Sequence, residues 1–231
     1  MSLSRELRPL GAYVDFGVRL HLSDFANLTG VVLLFFLPLA AIIVQLYPPL
    51  GQIARGGGLP PGYLFNLLMG QVLLRVLQSF IFTLVVLRAE RMVEPAARGE
   101  EPSWDFAGAL ARFPLVAAVD LVYLLMVSVG LMLLVVPGVV LALRFYFCSY
   151  IALFRRLAFP QYFARAAGLA RGVELKLAAL YLLYQLVSQG VAFLLLGFLG
   201  VSPFSHIVVN AAAQVVLLSY FFAAYRLYLD L

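Results

Sequence analysis

The chain has 231 residues, of which 64% are hydrophobic and 12% are charged, and its mean hydropathy is +1.01. Soluble domains have roughly 45–50% apolar and about 25% charged residues, so this composition excludes an ordinary water-soluble fold. The formal net charge is +5. We expect anionic lipid headgroups to be the partners of this charge, and no nucleic acid, because the sequence contains no soluble basic domain.

Six long apolar segments follow one another along the chain, at residues 27–46, 63–87, 109–136, 139–157, 175–199 and 207–229. Each approaches or exceeds the ~20 residues that an α-helix needs to cross a bilayer. The sequence therefore predicts one all-α domain over residues 1–231, a polytopic integral membrane protein with six transmembrane helices in three hairpins. The fourth segment is the shortest, and it either spans fully or enters the bilayer partway.

The positions of the basic residues predict the orientation. Thirteen of the 16 Lys and Arg residues lie before the first segment, in the second and fourth connections and at the C-terminus. The opposite connections contain only Arg55, while Arg75 and Arg144 lie inside predicted spans. Because positive charge stays on the cytoplasmic side, we predict both termini in the cytoplasm and a location in a bacterial inner membrane.

The N-terminal residues argue against a cleaved secretory signal, and the single cysteine excludes disulfide and cysteine-zinc chemistry. Residues 1–26 include Glu6, Asp15 and Asp24 and lack the pattern of a cleaved secretory signal, so we expect no removal of this segment. Cys148 is the only cysteine, which excludes an internal disulfide and a cysteine zinc site. We predict no metal and no cofactor.

An amphipathic stretch precedes each pair of spans, at residues 5–25, 90–108 and 158–172. The third is the clearest, because its aromatic and small residues share one helical face while Gln161 and Arg165 lie on the other. Such a helix is expected in the plane of the headgroups. Its predicted interfacial residues are Tyr162, Phe163, Arg165 and Arg171.

Polar residues at membrane depth are costly and mark either a functional site or a contact between helices. Arg75 lies near the middle of the second span, and Asp120 is the only acidic residue well inside any span, so the two are predicted partners. We predict that these residues line a ligand-binding cavity with others at similar depth: Gln71, Gln78, Arg144, Gln185, Gln189, His206, Asn210 and Gln214. The alternative is plain interhelical hydrogen bonding, with Arg75–Asp120 as a structural ion pair.

An enzyme is a further alternative, and its best fragment combines His206 with the pair Glu100 and Glu101. This combination superficially resembles intramembrane proteases of the CAAX-processing type, which use glutamates and histidines around an activated water. Those enzymes have an arginine four residues after the second glutamate, inside a helix, whereas Pro102 to Asp105 form a polar connection here. We therefore predict that the chain is not an enzyme and has no catalytic residues.

The region from Leu131 to Gly172 resembles a known family pattern. An apolar run leads to Pro137-Gly138, with Arg144 six residues on, followed by an aromatic span, an interfacial segment and Arg171-Gly172. This is similar to the YciC-like bacterial inner-membrane proteins and to the membrane domain found beside glycerophosphodiester phosphodiesterases. The resemblance implies a six-helix membrane domain and no established reaction. We expect a protein that binds or transports a lipid-like or small polar molecule, or a membrane scaffold with an unknown membrane partner or a second copy.

Overall fold

The computed structural model describes residues 7–46, 62–93, 103–200 and 202–231. These residues form nine α-helices and no strand: α1 Leu10–Ser23, α2 Phe25–Leu46, α3 Tyr63–Val93, α4 Phe106–Leu133, α5 Val135–Arg144, α6 Cys148–Phe154, α7 Phe159–Ala170, α8 Glu174–Leu199 and α9 Pro203–Asp230. Five segments are long and apolar enough to cross a membrane. A sixth is present if α1 and the first part of α2 form one bent span. The all-α, multi-pass prediction is confirmed at this level, and the six-span count stays a prediction.

The centre of the bundle is formed by α3 and α9. Helix α3 packs on α2, α4 and α9, and α9 also packs on α1, α2 and α8. The buried core includes Val85 and Val86 of α3 and Phe222 and Leu227 of α9. In contrast α8 packs mainly on α9 and exposes most of its apolar side chains, as expected for a helix whose outer face contacts lipid.

The first amphipathic stretch is the helix α1, which packs on α9. Its residues Tyr13, Gly17 and His21 repeat every four positions and are buried. A Cβ atom on Gly17 would lie 2.3 Å from the carbonyl oxygen of Ser219, so only glycine permits this close approach of the two backbones. The chain then bends by 82° at Asp24 into α2.

The turn between the third and fourth predicted spans lies at Leu134, so the prediction that they meet at Pro137-Gly138 is wrong. Leu134 has an extended backbone, and Pro137 stands in the first turn of α5, where a missing N–H costs no helical hydrogen bond. Gly138 serves helix packing: a Cβ there would lie 2.5 Å from the Leu131 side chain.

The fourth predicted span is interrupted rather than continuous. Helix α5 ends at Arg144, a turn occupies residues 145–147, and α6 begins at Cys148. The backbone remains hydrogen-bonded through the turn, from Phe145 N to Leu141 O and from Cys148 N to Phe145 O, both at 3.0 Å. The third and fourth predicted spans still pack together as a hairpin of α4 with α5 and α6.

The helix α7 occupies residues 159–170, as the third amphipathic stretch predicts, but its apolar face is covered by protein. Tyr162 and Phe163 are buried, and the ring of Phe163 lies 5.7 Å from that of Phe145. The expectation that these two side chains contact headgroups is therefore wrong, because neighbouring helices bury the same face that lipid would bury. Arg165 and Arg171 are exposed.

Candidate binding site

An ion pair joins the middle of α3 to α4. The Nε atom of Arg75 lies 2.9 Å from Oδ2 of Asp120, and Nη2 donates a hydrogen bond to Oδ1 at 3.0 Å. Nη2 makes the hydrogen bond of the pair, and Nε adds a second close contact between opposite charges. The contact between Arg75 and Asp120 that the sequence predicts is present.

Two serines complete the surroundings of Asp120. Ser79 donates to Oδ2 at 2.8 Å and Ser149 donates to Oδ1 at 3.1 Å. Ser79 lies one helical turn after Arg75, and Ser149 lies in α6, just after the interruption of the fourth span. Asp120 thus accepts three hydrogen bonds, from Arg75 Nη2, Ser79 and Ser149, beside its ion-pair contact with Arg75 Nε.

The guanidinium of Arg75 remains more accessible than its partner. The exposed fraction of its side chain is 31%, against 11% for Asp120. Its Nη1 atom makes only a long contact of 3.5 Å with Oε1 of Gln78, whose amide in turn donates to Oε1 of Gln214 at 3.4 Å. The pair is thus asymmetric: protein covers the carboxylate of Asp120, whereas the guanidinium of Arg75 keeps N–H donors without a short hydrogen bond.

These groups line a cavity of about 70 Å³. Its polar side comprises Arg75, Gln78, Ser79, Asp120 and Ser149. The remaining wall is aromatic and comes from four different helices and the turn between α5 and α6: Phe82, Tyr123, Tyr146, Tyr150 and Phe221. A water molecule occupies about 30 Å³ of liquid, so the space suits a few waters or a group of a few heavy atoms.

The interruption of the fourth span forms part of this wall. Tyr146 stands in the turn and lines the cavity. The Tyr123 hydroxyl donates to the carbonyl oxygen of Ala142 at 3.0 Å, near the end of α5 where carbonyls lose their helical partners. The Tyr150 hydroxyl donates to the carbonyl of Phe221 at 3.0 Å and fixes α6 against α9. Side chains from the neighbouring helices therefore hold the broken helix in place.

The structure brings together four of the ten predicted ligand-binding residues: Arg75, Gln78, Asp120 and Gln214. Arg144 is exposed at the end of α5 and does not line this cavity, so its part in ligand binding stays a prediction. Gln185 instead donates to the Tyr181 hydroxyl at 2.6 Å, outside the cavity lining. Three further predicted residues are exposed and do not line it either: Gln71, Gln189 and Asn210.

Helical rotation explains these differences. The depth of a residue in the membrane follows from its position along the span. A side chain reaches the cavity only if its helix is rotated so that this face points inward. Contacts between helices determine that rotation about the helix axis. The side chain of His206, on α9, lies outside the described residues, as do Glu100 and Glu101. The protease alternative therefore stays untested.

Sequence reasoning missed Ser79, Ser149, Tyr146 and Tyr150. Ser79 has a detectable signal, because it lies four residues after Arg75 and so shares its face. Ser149 and the tyrosines have none, since they reach Asp120 and the cavity only through the turn at residues 145–147. No proline or glycine marks that turn.

Comparison with known proteins gives no match: no family model, curated protein or solved structure is significantly similar to the chain. The resemblance to YciC-like proteins therefore stays a prediction. Function has to be inferred from the cavity and its chemistry.

Proposed function

We propose that the chain is a multi-pass protein of a bacterial inner membrane, without catalytic activity of its own, that binds an oxygen-bearing group of a lipid-like or small polar molecule at Arg75. The observation that carries the proposal is the asymmetric ion pair. Its carboxylate accepts three hydrogen bonds, whereas its guanidinium borders the cavity with an Nη1 atom that makes only a long contact to Gln78. Such a site offers hydrogen bonds to an acceptor such as a phosphate, carboxylate or carbonyl oxygen.

The surroundings of Arg75 favour binding over simple neutralisation of charge. An ionisable group inside a membrane bundle is expensive, and functional sites are the places where that cost is retained. The aromatic side of the cavity, with Phe82 and Phe221, suits the first apolar atoms next to the polar group. The cavity volume of about 70 Å³ limits the bound part to a small group, so a larger ligand would insert only its polar end.

A scaffold role is the second candidate, and the hydrogen bonds that converge on Asp120 are the observation that favours it. Arg75, Ser79 and Ser149 tie α3, α4 and α6 together around one carboxylate. A purely structural cluster would have this geometry too. The two candidates differ in what is expected when the charges of Arg75 and Asp120 are removed together: the binding role predicts loss of the bound molecule, and the scaffold role does not.

The test compares wild-type protein with Arg75→Gln, Asp120→Asn and the double variant, each purified in native lipid. Arg75→Gln leaves the carboxylate of Asp120 without its cation, and Asp120→Asn leaves the guanidinium of Arg75 without its anion. Each single variant should therefore lose about 3–5 kcal/mol of unfolding free energy. The double variant leaves no unpaired charge and should regain most of that loss. We expect the wild type to retain one lipid or metabolite in defined stoichiometry, as measured by mass spectrometry, and the double variant to lose it.

Arg144→Gln is the matched control, because Arg144 also lies in a predicted span but outside the cavity lining. It should keep the bound molecule. If the double variant is stable and retains the same lipids as the wild type, the binding proposal is wrong and the scaffold role is favoured.

A further inference from the structure

A group of five exposed arginines surrounds the C-terminal end of α6 and the helix α7. The group, called here the arginine patch, consists of Arg112, Arg155, Arg156, Arg165 and Arg171. None of the five forms an ion pair with an acidic residue in the part of the chain that the structure describes. Four of the five lie in residues 121–173, which contain no Asp or Glu, and the next acid, Glu174, accepts a hydrogen bond from Gly172 N at 2.7 Å.

The members of the patch are close in space as well as in sequence. Arg155 and Arg165 both lie near enough to the Tyr228 hydroxyl for their charges to act on it. Arg112 donates to the carbonyl oxygen of Leu153 at 3.5 Å, which brings it to the end of α6. The Tyr162 hydroxyl accepts from Leu157 N at 3.0 Å and donates to Arg155 O at 3.3 Å, and so holds this segment against α7.

Arginines without acidic partners attract anions. Arg165 and Arg171 are about 9 Å apart along the helix axis, at ~1.5 Å per residue. Physiological salt screens charges over ~8 Å, so their mutual repulsion is small and their attraction acts on anions that contact them directly. Exposed guanidinium groups bind phosphate oxygens in particular, by paired hydrogen bonds.

The position of the patch identifies the source of the anion. The candidate span Val135–Phe154 ends directly before Arg155, and the candidate span Glu174–Leu199 begins three residues after Arg171. The patch thus lies between two span ends, at the level of the headgroups. Phosphates of lipids occur there at high density, whereas a free phosphate ion would have to compete with them.

We infer that the arginine patch is a binding site for anionic phospholipid headgroups. The sequence predicts general attraction of the basic face to lipid, and the structure adds a specific location where exposed arginines have no acidic partner among the described residues. This inference does not rest on the proposed function, because no residue of the patch lines the cavity at Arg75.

The experiment measures the binding of phosphatidylglycerol and of phosphatidylcholine to the full chain in detergent, by native mass spectrometry. The test variant is Arg155→Gln with Arg165→Gln. The control variant is Arg8→Gln with Arg19→Gln, which loses the same charge at exposed arginines that have acidic partners, at 3.3 Å to Asp230 and 2.7 Å to Asp15.

We expect the wild type to bind phosphatidylglycerol in preference to phosphatidylcholine. An arginine near headgroups is worth about 1 kcal/mol, so each lost arginine should weaken binding about five-fold and the test variant about 30-fold. The control variant should lose affinity several-fold less than the test variant. Inorganic phosphate should not displace the lipid.

Three results would overturn the inference: an equal loss of affinity in the control variant, no preference for phosphatidylglycerol in the wild type, or displacement by inorganic phosphate. If the test variant fails to fold, Arg156→Gln replaces it, because that side chain is exposed. An affinity unchanged in Arg156→Gln would count against the patch in the same way.

Discussion

Buried charge outside the cavity is the main feature at the scale of single residues. Asp24, at the bend between α1 and α2, forms an ion pair with Arg88 of α3, and the guanidinium lies 4.4 Å from the centre of the Trp104 ring. Both charged side chains are buried, with exposed fractions of 6% for Arg88 and 11% for Asp24. Such a pair adds little net stability, because desolvation offsets the attraction, but the loss of one partner leaves an uncompensated charge.

Asp24→Asn should therefore lower the free energy of unfolding by about 3 kcal/mol. The measurement is unfolding by SDS in mixed micelles, followed by circular dichroism. Asp15→Asn is the control, since it breaks an exposed pair with Arg19 and should change stability by about 0.5 kcal/mol or less. Equal effects of the two substitutions would show that the Asp24–Arg88 pair does not behave as a buried ion pair.

The hairpin of α4 and α5 is the informative case at the scale of elements. Residues 130–143 contain no polar side chain, and the tip from Leu131 to Val136 is exposed throughout, with Met132 87% exposed. Exposing such residues to water costs about 1.5–3 kcal/mol each. Two amides of the turn are bonded internally, Leu134 N to Gly130 O at 3.0 Å and Gly138 N to Leu134 O at 3.3 Å. These bonds remove two donors that lipid could not satisfy.

We predict that this tip stays in the hydrocarbon of the outer leaflet. In a Cys148→Ala background, Leu134→Cys should resist a membrane-impermeant maleimide in intact cells and react after SDS is added. The control is Arg55→Cys, in a connection that the sequence predicts to be external. Labelling of both cysteines at the same rate would place the tip in water.

Helix positions were largely predictable from the sequence, and helix interruptions were not. The predicted fifth and sixth spans, residues 175–199 and 207–229, lie within α8 and α9, because long apolar runs are a local property. The turn at residues 145–147 has no breaker residue, so it arises from packing of Tyr146 and Tyr150 against other helices. The second amphipathic stretch, residues 90–108, lies partly outside the described residues.

At the scale of the whole molecule, the start of the described chain, at Arg8, lies against the C-terminal end of α9. Arg8 lies 3.3 Å from Asp230 in an ion pair, and Arg226 lies 3.4 Å from the same carboxyl group. Lys176, at the start of α8, donates to the carbonyl oxygen of Arg8 at 2.8 Å. Three regions that charge counting predicts on the cytoplasmic side are thus neighbours in space.

A reporter at the C-terminus tests the orientation in bacterial cells. Green fluorescent protein fused after Leu231 should fluoresce, and alkaline phosphatase fused there should be inactive, because the basic regions stay in the cytoplasm. A phosphatase inserted at Arg55 should be active. An active phosphatase at the C-terminus would reverse the predicted topology.

The sequence by itself indicated a membrane protein of helical class, the positions of its main apolar helices and the ion pair of Arg75 with Asp120. Hydrophobicity and helix length are properties of local sequence. Asp120 is the only acidic residue well inside a predicted span, so it is the best available partner for Arg75. Only the tertiary structure decided that Ser79 and Ser149 close around the acid, and that Arg144 and Asn210 face away. The reason is physical: the rotation of each helix about its axis is set by contacts with distant parts of the chain, and no local pattern encodes that angle.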